Sequence, residues 1–554
     1  MNGSIFKILP TLIALGLALS GCGGGGGDNQ SSDHSNVIQP ETEEITGRIT
    51  FDLVPFNTIT SGLNYSQTKV SPARGILVEA MDASANKVGS TTTDSNGYFS
   101  LNVDANSNLR LRVSAQLKQT SDPSWDVKVT DNTSNNALYV TEGNLFNSST
   151  GNRVRNIHLQ SGWDGTSYTA PRSAGPFAIL DAIYESMQKI VNVDSDVSFP
   201  PLEVHWSPKN SIAEGNLWDG DIGGSFYLDG KIYVLGKADS DTDEYDRHII
   251  IHEWGHYFED TLSRTESMGG PHSTDDRLDF RVAFSEGWAN ALSAMVTDDS
   301  FYRDSIGAGQ NGYESWSMDM EHNQTYNSGW FNEGSIQSLI YDFYDEDSDG
   351  EDNIALGFGP IYTSLVSSNY ISNPYFASIY SFTDELKSQQ PLLISNEINS
   401  LMNQQKIFGS GSDGVGETNN GGIISSLPIY KTVSVGDDST VCYVNNAGVI
   451  NKLGNSVFVT FYAASFGYYT FSVTHSDAYG TFSDPDLRLF KSKILIDSDE
   501  DGSLNGNASM STLLSIPGMY ILEVTVWEIF PLLGVGNNGT TCFNLQITSS
   551  GITP

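Results

Sequence analysis

Apolar and polar positions alternate with period two from Glu44 to about Gln116, in short runs such as Ile45–Phe51, Arg74–Ala80, Thr91–Leu101 and Leu109–Ala115. This pattern predicts half-buried strands, and Asp94–Gly97 reads as a turn whose glycine adopts positive φ cheaply. Residues 117–165 are polar, with strand-like Ser124–Val129 and Val154–Leu159. The period then changes. Phe177, Leu180, Ile183, Tyr184 and Met187 recur at helical spacing, so an amphipathic helix is expected between Ala174 and Ile190. Leu202–Trp206, Ser225–Leu228 and Lys231–Leu235 read as strands, followed by helical segments at Ile249–Phe258, Arg281–Leu292 and Asn332–Asp342. Gly409–Gly422 is rich in Gly, Ser and Asn and reads as a linker, and strands return at 457–462, 467–473, 487–490 and 517–524.

These elements predict a multidomain α+β protein in which a central sheet-and-helix domain is flanked by two all-β sandwiches. The length, 554 residues, suits several domains. Hydrophobic residues make up 38% of the chain, enough for real cores, while only 17% are charged. The formal charge of −39 repels phosphate backbones and argues against a nucleic-acid partner. Lys7 followed by the apolar run Ile8–Leu19 is too short for a membrane span and reads as an export signal. It ends Leu19-Ser20-Gly21-Cys22, which resembles a bacterial lipobox. The resemblance implies lipidation at Cys22, attachment to a membrane through that lipid, and a place in the cell envelope; with no Asp after Cys22 it implies the outer membrane. Gly23–Gly27 and the polar run behind it then serve as a flexible tether. In an exported chain the remaining cysteines, Cys442 and Cys542, are expected to pair.

The strongest chemical signal is His252-Glu253-Trp254-Gly255-His256 within the apolar run 249–258, in a chain with only 9 histidines. On a helix, residues four apart share a face, so His252 and His256 can hold one Zn²⁺ while Glu253 reaches a water as general base. A catalytic zinc needs a third protein ligand. Glu286, about thirty residues after His256 among apolar and small neighbours, is the candidate, because a cation would compensate a carboxylate buried there. This H-E-x-x-H plus downstream Glu resembles the gluzincin metallopeptidases, with spacing nearer the collagenase-like members. The resemblance implies a zincin-like fold, Zn²⁺, a peptide or protein substrate, and hydrolysis by water that Glu253 deprotonates. It also implies that Asn290 orients a histidine ligand and that a Tyr or His holds the oxyanion. Tyr326, His322, Tyr341 and Tyr344 are the candidates for that donor. His248, one turn before His252, is expected to be an ordinary helix histidine or a support for the ligands.

The strands of 44–118 resemble the transthyretin-like, carboxypeptidase regulatory-type sandwich. Those after residue 430, with Asp484-Pro485-Asp486, resemble the jelly-roll-like pre-peptidase C-terminal domain of secreted bacterial peptidases. Asp345, Asp347 and Asp349, and later Asp497, Asp499 and Asp501, form the opening half of a Ca²⁺ loop, but Leu356 and Ala508 stand where the closing Glu belongs. Asp239–Glu244 is a helix cap or a Ca²⁺ loop. The organisation expected is a signal at 1–22, tether 23–43, sandwich 44–118, β-rich connection 119–165, metallopeptidase domain 166–408, linker 409–429 and sandwich 430–554. Two other functions stay open on the sequence: a non-catalytic surface lipoprotein on a zincin scaffold, and a zinc hydrolase of non-peptide substrates.

Overall fold

The computed structural model describes residues 41–59, 61–307, 315–322, 326–346, 353–475, 484–500, 507–527 and 539–551. The signal at 1–22 with Cys22, most of the tether, and Asp347, Asp349 and Asp501 lie outside them. The fold is mixed α and β, with sandwiches at both ends.

Strands β1 (Thr42–Leu53), β2 (Lys69–Pro72), β3 (Ile76–Asp82), β4 (Lys87–Thr92), β5 (Tyr98–Asp104), β6 (Asn108–Gln119) and β7 (Trp125–Asp131) build the first sandwich. Alternation sets its inner faces: β5 buries Phe99, Leu101 and Val103 and exposes the residues between them. Short strands β8 (Ala137–Leu138), β9 (Val140–Glu142), β10 (Phe146–Asn147) and β11 (Ile157–Leu159) add to its sheets. Helix α1 (Gly175–Val191) follows, then β12 (Leu202–Trp206), β13 (Phe226–Leu228) and β14 (Lys231–Val234).

One sheet runs β13-β14-β12-β7-β6-β3-β4. The breaks expected at 118 and 165 are therefore absent from the fold. β7 pairs antiparallel with β6 through Leu117↔Val127 and parallel with β12 through Val127↔Leu202, so the sheet passes from the sandwich into the central domain. A parallel pair needs a crossover connection, and α1 lies on it. Strand β1 also begins at Thr42, two residues before the start expected for the sandwich.

Two two-residue strands, β15 (Gly236–Lys237) and β16 (Asp241–Thr242), lead into helix α2 (Arg247–Leu262). Helix α3 (Phe280–Thr297), the hairpin β17 (Phe301–Asp304) and β18 (Trp316–Asp319), and helix α4 (Glu333–Tyr344) follow. Helices α5 (Phe358–Leu365), α6 (Ser368–Ile371), α7 (Ile379–Ser388) and α8 (Leu392–Gln404) complete the central domain. The 409–429 stretch is packed rather than a loose linker. Glu417 accepts from the Tyr380 hydroxyl at 2.5 Å and from the Phe408 amide at 2.8 Å. Gly414, at φ +66°, brings its Cα so close to Ile429 that a Cβ would lie 2.7 Å from that side chain. Its glycines serve tight turns and close approach.

The C-terminal sandwich stacks β19 (Tyr430–Thr432), β21 (Ser456–Ala463), β26 (Gly518–Trp527), β23 (Asp484–Lys491) and β24 (Ile494–Asp499) against a second sheet. That sheet holds β20 (Asp438–Val444), β27 (Thr540–Gly551), β22 (Gly467–His475) and β25 (Asn507–Leu514). Cys442 and Cys542 face each other across β20 and β27 and form a disulfide. Among the described residues, no helix is long and apolar enough to cross a membrane.

Candidate metal centre

Helix α2 is buried along most of its length and presents His252 and His256 on one face, as the four-residue spacing requires. Helix α3 packs against it and supplies Glu286. His252 Nε2 stands 3.1 Å from Glu286 Oε2 and 3.1 Å from His256 Nε2, and His256 Nε2 is 3.3 Å from Glu286 Oε2. Four-coordinate zinc with ligand atoms at about 2.0–2.1 Å spaces them about 3.3–3.4 Å apart. The three side chains, 3.1–3.3 Å apart, come within a few tenths of an ångström of that spacing.

The supporting hydrogen bonds fix which imidazole nitrogen faces the cluster. His252 Nδ1 donates to the Asn290 amide oxygen at 2.8 Å, and the Asn290 amide nitrogen donates to Gln337 Oε1 at 2.9 Å. Ser285 Oγ donates to Glu259 at 2.5 Å, leaving its oxygen to accept from His256 Nδ1 at 3.1 Å. Both Nε2 lone pairs therefore aim at the same point as the Glu286 carboxylate. Glu286 Oε2 is buried and has no hydrogen bond of good geometry, although imidazole nitrogens crowd it. Three converging acceptors need a cation or a proton between them. The electrostatics of the cluster carry the same demand. Burial disfavours the His256 cation, but Glu286 and Glu259 outweigh it and hold its pKa well above the usual value. Burial likewise pushes Glu286 up, and His256 and His252 more than reverse it, leaving the carboxyl well below its usual range. The donor set, two neutral imidazoles and one carboxylate with oriented partners, fits zinc.

Glu253 sits one residue round the helix, also buried. Burial raises its pKa, against the pull of His252 and His256 and of the Tyr227 backbone on the edge strand β13. His252, Glu253, His256, Glu286, Tyr227 and His272 all line one cleft, so the free edge of the sheet borders the cluster.

His272 carried no signal in the sequence, since it lies in a Gly-Pro loop without period; its position between the two site helices was the one available clue. Its Nε2 is 3.4 Å from Glu286 and its Nδ1 bonds Glu333 at 2.7 Å. Burial disfavours its charge, but Glu333 and Glu286 push its pKa up to about 9. Ser285, Glu259 and Gln337 were likewise not singled out. The candidate oxyanion donors lie elsewhere. Tyr326 is 95% exposed, His322 pairs with Asp319 at 3.2 Å, and Tyr344 bonds Lys189 at 2.7 Å. None of these, nor Tyr341, lines the cleft. His248 is buried against Tyr302 and bonds Ser293 Oγ at 3.1 Å. Asp345 caps α4, while Asp497 accepts from Thr512 and Asp499 from the Ser509 amide. Among the described residues these three aspartates join no metal-sized group.

A family model described as the mycolysin C-terminal domain matches residues 193–378, the segment that carries the whole cluster. The family is associated with metalloproteases, which sets this segment in a peptidase context. No curated protein matches the chain. Among solved structures, the pre-peptidase C-terminal domain of a Bacillus anthracis collagenase is 13% identical, covering 22% of this chain and 94% of that one at TM-score 0.16. A surface-associated copper-binding protein of Methylomicrobium album is 8% identical, covering 22% and 100% at TM-score 0.16. A periplasmic lysozyme inhibitor of Aeromonas hydrophila is 10% identical, covering 22% and 97% at TM-score 0.15. At scores this low neither fold nor function is transferred from them.

Proposed function

We propose that this chain is a zinc-dependent endopeptidase of the gluzincin type, with a zincin-like central domain, acting on protein or peptide substrates in the bacterial envelope and anchored through Cys22. The observation that supports it most is the convergence of His252, His256 and Glu286 with Glu253 beside them at a free sheet edge.

In this reading His252, His256 and Glu286 hold the metal. A zinc ion there would supply Lewis acidity, making water more acidic and a carbonyl more electrophilic. The chain's own groups do the rest. Strand β13, paired with β14 on one side, offers its outer edge to an extended substrate, laying the scissile bond along the cleft. Glu253, its pKa raised by burial, takes a proton from water and passes it to the leaving amine. His272 keeps its proton through Glu333 and faces the cleft as a donor to the developing oxyanion.

The test is cleavage of an unfolded protein by purified wild type and Glu253→Gln. The reading predicts activity in wild type and a loss of roughly 10²- to 10⁴-fold in the variant, with its zinc retained. Equal activity in the two proteins would exclude Glu253 as the base.

A further inference from the structure

We propose a second metal site, for Ca²⁺, formed by Asp241, Asp243 and Asp304 at the foot of the active-site helix. Each of the three offers one carboxylate oxygen, and these oxygens lie within 4.8 Å of one another. Oxygens bound to one Ca²⁺ at about 2.3–2.6 Å stand no more than about 5 Å apart.

An acidic cluster alone would say little, since a loop of solvated aspartates needs no ion. Here two of the three aspartates are buried and Asp304 is half-buried, and although Asp243 Oδ2 accepts from Ser225, one oxygen of each lacks a partner. Asp243 is 3% exposed and Asp241 8%, yet Oδ1 of each has no hydrogen bond, and the same holds for Oδ1 of Asp304. Asp246, outside the trio, adds an independent sign: 2% exposed, close enough to repel Asp304 and Asp241, and with its own Oδ1 unpartnered. No Lys, Arg or His nitrogen among the described residues pairs with any of the four. The arginines nearest in sequence are engaged elsewhere, Arg247 with Asp181 and Glu185 and Arg303 with Asp299. Burial, and for three of the four their mutual repulsion, push all these carboxyls up, Asp241 to about 6 and Asp304 to about 7. At neutral pH that is a costly arrangement without a cation.

The all-oxygen donor set selects a hard cation over zinc. Mg²⁺ keeps most of its waters and uses one or two carboxylates, whereas Ca²⁺ accepts many protein oxygens in flexible geometry. The placement gives the ion a structural task. Asp241 and Asp243 precede α2, which carries His252 and His256, while Asp304 ends β17, whose Tyr302 ring lies 6.1 Å from His252. Calcium would clamp the start of the helix to the hairpin beside the histidines.

The experiment is thermal unfolding of the full chain, stripped of metal, reloaded with zinc, and titrated with CaCl₂ or MgCl₂ to about 1 mM, in the range of extracellular calcium sites. Wild type should melt several degrees higher with calcium than with magnesium. Asp243→Asn and Asp304→Asn should lose that shift while keeping their zinc. A wild type indifferent to calcium overturns the proposal, leaving the carboxyls merely protonated. An undiminished shift in both variants also overturns it, placing calcium elsewhere. Should a variant not fold, Tb³⁺ luminescence reads the wild-type site through Trp316, which pairs with Asp304 across the hairpin. Emission that calcium displaces supports the site, and its absence contradicts it.

Discussion

Asn290 holds His252 through a neutral amide whose other end is committed to Gln337. This relay fixes the tautomer, so its removal should weaken metal binding more than it disturbs the fold. Asn290→Ala is expected to lower zinc affinity about 10- to 100-fold, measured by competition with a chromogenic chelator. Unchanged affinity would show that packing alone orients the ring. His252, Glu253 and His256 were legible in the sequence because their chemistry lies within one helical turn. Glu286 needed only the expectation of a second helix. His272 and Asp304 were not legible, since each reaches its partners through a loop or hairpin that leaves no periodic trace. The carboxylates joined to Asp304 lie more than sixty positions earlier, and nothing local announces the meeting.

At the level of elements, two helical glycines set how closely the site helices approach. A Cβ at Gly255 of α2 would lie 3.1 Å from Ala289 of α3, and one at Gly287 of α3 would lie 2.7 Å from Ile336 of α4. Gly→Ala in a helix interior ordinarily stabilises by about 0.5–1 kcal/mol. Here overpacking dominates. Gly287→Ala is expected to cost about 1–3 kcal/mol in chemical denaturation. Because Gly287 adjoins Glu286, some weakening of zinc binding should accompany the loss. A neutral or stabilising outcome would mean that α3 and α4 separate easily. The sequence marked these segments as helices but not their spacing, because a glycine's role in a close approach depends on a neighbour far along the chain. The same blindness made the Gly-rich stretch 409–429 look like a linker.

For the whole molecule, the sequence suggested separable modules, and the alternation in each sandwich was readable strand by strand. The joins were not, since they are made by strand edges and buried charges rather than by patterns. β7 carries one sheet across two expected boundaries. At the other end, Arg281 of α3 reaches Glu523 of β26 at 2.6 Å, both nearly inaccessible, with Asp279 and Ser456 completing the network. Removing one partner of such a pair leaves the other charge buried. Glu523→Ala is therefore expected to cost about 3–5 kcal/mol and to loosen the C-terminal sandwich from the central domain, seen as a split or lowered calorimetric transition. A variant that unfolds like wild type would show the sandwich to be an independent appendage.

The central claim is that His252, His256 and Glu286 together hold one zinc ion, and the most direct measurement is zinc content per chain after exhaustive dialysis, for wild type beside Glu286→Ala. The account predicts about one zinc per wild-type chain and a marked loss in the variant. A wild type without zinc, or a variant that holds it as tightly, would contradict it.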